Sequence, residues 1–209
     1  MSSSSKCSDG TQAPPKPRSC ERDLEESNVC FVEAADIRGA LRSPQADPTV
    51  DMNAVNAAKL ISEMVNSADW FGVPDSRLAP LLTASLSPIL IAPREDLAVA
   101  TAFGACLDDQ IPVIFMKDAG LGHAMDALLT TFVEAKVPYI LLIGTTDTYD
   151  GPEHHLLWRH ALPWLLRGLG IDAWELRNLI NNTLELSQIE CALKAGIGAA
   201  LLWHTGDGG

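Results

Sequence analysis

Five apolar runs, SPILIA (87–92), IPVIFM (111–116), PYILLIG (138–144), IDAWEL (171–176) and IGAALLWH (197–204), recur along this chain with helix-like segments between them. The runs are continuous rather than alternating, which is the pattern of strands covered on both faces. Helical spacing occupies roughly 95–108, 120–135, 154–168 and 185–195, and an earlier segment, NAVNAAKLISEMVNSA from Asn53, sets Val55, Leu60, Ile61, Met64 and Val65 near the same period. Such βαβ repetition predicts an α/β fold: a doubly wound, mostly parallel sheet with helices on both faces. Ligands of such folds collect at the carboxyl ends of the strands. The informative stretches are therefore the strand-to-helix loops PRED (93–96), MKDAGLGH (116–123) and GTTDTYDGPEHH (144–155).

Composition narrows the classes. With 209 residues, 47% of them hydrophobic, the chain can bury one sizeable core. The core is assigned to a single domain over 51–209, while 1–50, rich in Ser, Pro and charge, reads as a largely disordered N-terminal tail. An apolar patch in that tail, VCFVEAADI (29–37), is a candidate short strand or docking segment. The net charge of −12 leaves no electrostatic footprint for a phosphate backbone, so no nucleic-acid partner is expected. The start, MSSSSKCSDG, lacks the apolar stretch of a secretion signal, and no run approaches a membrane span; the expectation is a cytoplasmic protein without membrane contact. Five scattered cysteines without CxxC spacing read as free thiols.

The loops carry the candidate chemistry. Glu95 and Asp96 open a helix whose next residues, LAVATAFGA, are small or apolar. Either acid complements the helix dipole, and one of them is free to carry a carboxylate into a site. Gly120 and Gly122 follow a strand, where missing side chains let a ligand or a neighbouring element approach closely. As a dinucleotide fingerprint this G-x-G is incomplete, because Met125 stands at the third glycine position. A nucleotide-binding α/β protein using that loop is the alternative reading. GVPDS (72–76) is a turn, with Ser76 placed to cap a short helix through LAPLL. His154, His155 and His160 lack the i, i+4 spacing of a shared zinc, and no metal ligands are assigned. No G-x-S-x-G elbow is present, and Cys106 falls inside an apolar helix, which gives covalent hydrolysis no support.

Taken together, GVPDS, REDLAVATAFG (94–104), IPVIFMKDAGLGHAMDAL (111–128), PYILLIG and GPEHH (151–155) resemble, in order and spacing, the pyrimidine-binding (Pyr, alpha) part of thiamine-diphosphate-dependent 2-oxoacid decarboxylases, the phosphonopyruvate and sulfopyruvate decarboxylase group in particular. The resemblance spans about residues 53 to 204. It implies thiamine diphosphate as cofactor and gives Glu95 the place of the glutamate that hydrogen-bonds N1′ of the aminopyrimidine. A carboxyl group in an apolar pocket gains proton affinity and can share a proton with a ring nitrogen, while the cofactor supplies the carbanion chemistry.

It further implies that Gly120, Leu121 and Gly122 lie against the cofactor, that Asp75, Ser76, His123 and Lys117 lie near the substrate, and that His154 stands at the entrance as a second catalytic residue. Where relatives have approximately Q-N-S-G-L-G-N, this chain has Lys117, Asp118, Ala119, then Gly-Leu-Gly and His123. The Gly-Asp-Gly at 206–208 matches the triplet that opens a magnesium and diphosphate site in such enzymes, but no downstream Asn follows it here, and it reads as a polar terminus.

The implied activity is decarboxylation of a 2-oxoacid, with release of an aldehyde or acyloin-type coupling of the enamine to a carbonyl acceptor. The implied partner is a beta (PP-type) subunit with Gly-Asp-Gly and its Asn, holding most of the Mg²⁺ contacts, in a hetero-oligomer with active sites between subunits. A noncatalytic Pyr-like assembly subunit is the remaining alternative.

Overall fold

The computed structural model describes residues 30–32, 52–65, 69–146 and 153–205, except for the side chains of 30–32, 146, 153–155 and 205. The expectations for the rest of the tail and for the Gly-Asp-Gly triplet lie outside the described residues.

The strands are β1 (Cys30–Val32), β2 (Trp70–Gly72), β3 (Ile89–Ile91), β4 (Val113–Lys117), β5 (Ile140–Thr146), β6 (Ala173–Glu175) and β7 (Ala199–Thr205). The helices are α1 (Met52–Met64), α2 (Ala79–Ala84), α3 (Glu95–Ala105), α4 (Gly120–Leu128), α5 (Glu153–Gly168), α6 (Leu176–Leu179) and α7 (Thr183–Lys194), with a wider π turn (Leu129–Val133) continuing α4. The strand order is β1-β3-β2-β4-β5-β7-β6. β2 to β7 run parallel, and β1 adds antiparallel to the edge of β3 with Cys30 opposite Ile91. The apolar patch of the tail thus contributes its strand.

Successive strand residues point to opposite faces, so each continuous apolar run feeds two cores. One face packs Ile61 of α1, Leu81 and Leu82 of α2, Leu179 of α6 and Ile189 of α7 against Phe115, Leu142 and Leu201. The other packs Val99 of α3, Leu121 and Leu128 of α4, and Leu162 and Leu166 of α5 against Ile114, Leu141 and Ile143. Each fully buried aliphatic side chain contributes about 1.5–3 kcal/mol relative to exposure, which is why β3, β4, β5 and β7 hold no charged residue before their carboxyl ends. Among the described residues no helix is long and apolar enough to cross a membrane.

Two sequence expectations are corrected. Trp70–Gly72 forms a central strand between β3 and β4, where the sequence pattern shows only the GVPDS turn. Its Gly72 is required by proximity, since a Cβ there would run into the Phe115 carbonyl of β4. Ser76 does not cap the following helix, which starts after Leu78 with no side-chain cap. Asp75 makes the local turn instead, its Oδ1 accepting from the Arg77 N–H at 3.0 Å, and Ser76 is left exposed.

The topology also creates a crevice. From β2 the chain passes through α2 on one face to β3, then through α3 on the other face back past β2 to β4. The loops leaving β2 and its neighbours therefore part at their carboxyl ends, the place where doubly wound sheets hold ligands.

Candidate active site at the carboxyl ends of the parallel strands

The two acids that open α3 have separate tasks. Asp96 serves the helix: its Oδ1 accepts from the Leu97 N–H at 3.0 Å, and its carboxylate pairs with Arg94 through contacts of 3.1 and 2.9 Å. Glu95 turns inward and is 8% exposed. Its Oε2 lies 3.3 Å from Nδ1 of His123 in the first turn of α4. The imidazole itself is three-quarters exposed, so the pair bridges a buried carboxyl to the crevice mouth.

The glycines of the 116–123 loop give up space to side chains. A Cβ on Gly120 would lie 2.6 Å from Oε1 of Glu95, so this position admits the carboxyl group against the start of α4. Leu121 is fully buried in the core beneath. A Cβ on Gly122 would lie 2.6 Å from the ring of Trp158, which brings α5 tightly onto α4.

On the other side of the crevice Arg77, which the sequence reading did not single out, crosses from the turn after β2 to the ends of β4 and β5. Its Nη1 lies 3.3 Å from Oδ1 of Asp118 and donates to the Gly144 carbonyl at 3.5 Å, and its Nε lies 3.9 Å from Oδ1 of Asp75. The Asp118 side chain is fully buried; Oδ1 also accepts from the Ala119 N–H at 2.8 Å, while Oδ2 has no hydrogen-bond partner among the described residues. Asp75 is thus drawn to Arg77, Ser76 and Lys117 stand exposed, and the backbone of His154 belongs to α5 with its side chain outside the described residues.

A third group, also absent from the sequence reading, joins the ends of β5, β7 and β6. Thr145 Oγ1 and His204 Nδ1 are hydrogen-bonded at 2.8 Å, and His204 Nε2 pairs with the Glu175 carboxylate. Both Thr145 and His204 are buried. Cys106 is no nucleophile: burial pushes its thiol up to about 11.

The geometry offers a buried carboxyl with one oxygen engaged by an imidazole and the other lying over a glycine. An aromatic ring nitrogen fits such an arrangement as a hydrogen-bond partner of the carboxyl oxygen over Gly120.

No protein-family profile matches the sequence, and no curated protein matches it. Solved structures do share the fold. The thiamine diphosphate-dependent 4-hydroxybenzoylformate decarboxylase of Rhodococcus jostii RHA1 aligns with a TM-score of 0.57 at 16% identity, over 74% of this chain and 30% of that one. A putative thiamin diphosphate-dependent enzyme from Mycobacterium smegmatis gives 0.52 at 16% identity, over 74% and 31%. The 2-oxoglutarate:ferredoxin oxidoreductase from Magnetococcus marinus gives 0.54 at 12% identity, over 88% and 31%. The chain therefore has an α/β fold found in thiamine-diphosphate-dependent enzymes and spans about a third of the length of those it resembles.

Proposed function

We propose that this chain is the pyrimidine-binding (alpha) subunit of a heteromeric thiamine-diphosphate-dependent enzyme acting on a 2-oxoacid. The observation that carries the reading is Glu95: a carboxyl group 8% exposed, at a helix start after a parallel strand, with the helix dipole already served by Asp96. The fold shared with thiamine-diphosphate-dependent enzymes supports it.

The cofactor supplies a stabilised carbanion when bound, the chemistry that lets a 2-oxoacid lose CO₂. This chain's part is to hold and polarise. With the cofactor bound, Glu95 would face the ring nitrogen with the oxygen over Gly120, His123 would hold its other oxygen, and the backbone of Gly120 to Gly122 would lie against the pyrimidine. Asp75, Ser76 and Lys117 border the substrate, and His154 stands at the entrance. The product is an aldehyde, or a hydroxyketone where a second carbonyl compound is the acceptor.

A partner of PP type supplies the diphosphate and Mg²⁺ contacts. One feature favours this: three carboxylates, Asp75, Asp118 and Glu95, outnumber the two cations Arg77 and Lys117 around the crevice, the wrong balance for a diphosphate.

Native purification of the full chain with its co-purifying protein, followed by an assay for bound thiamine diphosphate, tests the proposal. The expected complex holds cofactor, and Glu95→Gln leaves the assembly intact while removing most turnover. A stable assembly with no thiamine diphosphate, or one whose activity ignores Glu95→Gln, overturns it.

A further inference from the structure

We propose that the substrate side of this crevice is built for a 2-oxoacid whose side chain carries no second negative charge, and that Asp118 sets the preference by occupying Arg77. The inference rests on the function proposed above and adds the substrate class.

A guanidinium is the side chain best matched to a phosphonate or sulfonate, because its planar fork presents parallel donors to two oxygens. Arg77 stands at the mouth in the turn that carries Asp75 and Ser76, where such a group would be met, yet its Nη1 and Nε already face acidic and carbonyl oxygens. Nη1 faces Asp118 at 3.3 Å and the Gly144 carbonyl at 3.5 Å, Nε faces Asp75 at 3.9 Å, and the side chain is 13% exposed. Two carboxylates surround one cation, so an incoming dianion meets net negative charge and must displace a fully buried aspartate.

The Oδ2 of Asp118 is buried without a hydrogen-bond partner among the described residues, so an anionic oxygen brought against Arg77 would lie beside a carboxylate with no further donor on that oxygen. The remaining charges around the mouth, exposed Lys117 and His123 with its own partner Glu95, do not reverse that balance.

The test uses the full chain with methylphosphonate and methanesulfonate as probes, followed by ligand-observed NMR. Wild type is expected to show no saturable binding of either. Asp118→Asn keeps the shape, releases Arg77, and is expected to bind both saturably at probe concentrations at least about tenfold below the highest at which wild type shows none, a gain abolished by adding Arg77→Leu. Asp75→Asn removes the longer contact, is expected to gain by a smaller factor, and serves if Asp118→Asn does not fold. Wild-type binding that disappears in Arg77→Leu overturns the proposal, as does absence of any gain in whichever variant folds. Neither readout involves the cofactor, so a complex found to lack thiamine diphosphate would remove the proposed function without altering the anion-binding result.

Discussion

The carboxyl group of Glu95 fills the space that a side chain at Gly120 would need: a Cβ there would lie 2.6 Å from Oε1 and 2.9 Å from Cγ. Glycine at the start of α4 is thus tied to the position of one carboxylate on α3. The colliding atoms are the far end of a flexible side chain, which yields more readily than backbone would. Gly120→Ala is therefore expected to cost only about 1 kcal/mol, the low end of overpacking penalties, by turning the carboxyl away. In a Glu95→Ala background the same change is expected to be neutral or slightly stabilising, since alanine is the better helix former. Urea unfolding of the four proteins measures this, and an undiminished penalty without the Glu95 carboxyl would show that the glycine serves something else.

Gly122 faces a harder obstacle. Its missing side chain admits Cη2 of Trp158 at 2.6 Å and Cζ3 at 3.1 Å, and an indole cannot bend away at its tip. Gly122→Ala is expected to destabilise by about 1–3 kcal/mol through separation of α4 from α5. Trp158→Leu should remove most of that penalty. Equal losses in the two backgrounds would detach the glycine from the tryptophan.

The parts of this structure legible in the sequence share one property, a long periodic signal. β3, β4, β5 and β7 are apolar runs, and α3, α4 and α5 carry helical spacing between them, so sheet type and strand-to-helix loops follow directly. β2 carries no such signal: three residues ending in glycine have no readable period, and its central place comes from pairing with β3 and β4. The candidate site divides the same way. That one acid at the start of α3 was free for a site is visible in the doubled acid, but only the Leu97 amide shows that Asp96 serves the helix. Arg77 and Asp118 stand 41 residues apart in separate loops, and nothing in one-dimensional pattern joins them. Thr145, Glu175 and His204 are likewise ordinary strand ends until the sheet places β5, β7 and β6 side by side.

Tyr139 illustrates a polar group whose removal is expected to help. Its ring packs against Phe132 at a centroid distance of 4.7 Å, Gly198 lies against the ring, and the residue is 1% exposed. Its hydroxyl has no hydrogen-bond partner among the described residues. Tyr139→Phe keeps the packing and drops the desolvation penalty, so stability should rise by about 1 kcal/mol with an unchanged denaturant slope. Burial also pushes the phenol above its ordinary value of 10.0, so the folded state keeps a proton that the unfolded state loses. Stability therefore falls as pH climbs above 10, and Tyr139→Phe should lessen that fall. A variant clearly less stable than wild type at neutral pH would reveal a partner for the hydroxyl.

Cys106 gives a direct chemical check on burial at the end of α3. Its Sγ lies 3.7 Å from the Ala102 carbonyl, and desolvation raises the thiol from an ordinary 9.0 to about 11. Only the thiolate is alkylated, so at pH 8 the reactive fraction is about 100-fold below that of an ordinary thiol. Pulsed iodoacetamide labelling of the native chain, read on the Cys106 peptide by mass spectrometry, should show a rate rising about tenfold per pH unit and still climbing beyond pH 9. Levelling near pH 9 would mean that water reaches the sulfur, and the apolar packing between α3 and the neighbouring core would be looser than the fold requires.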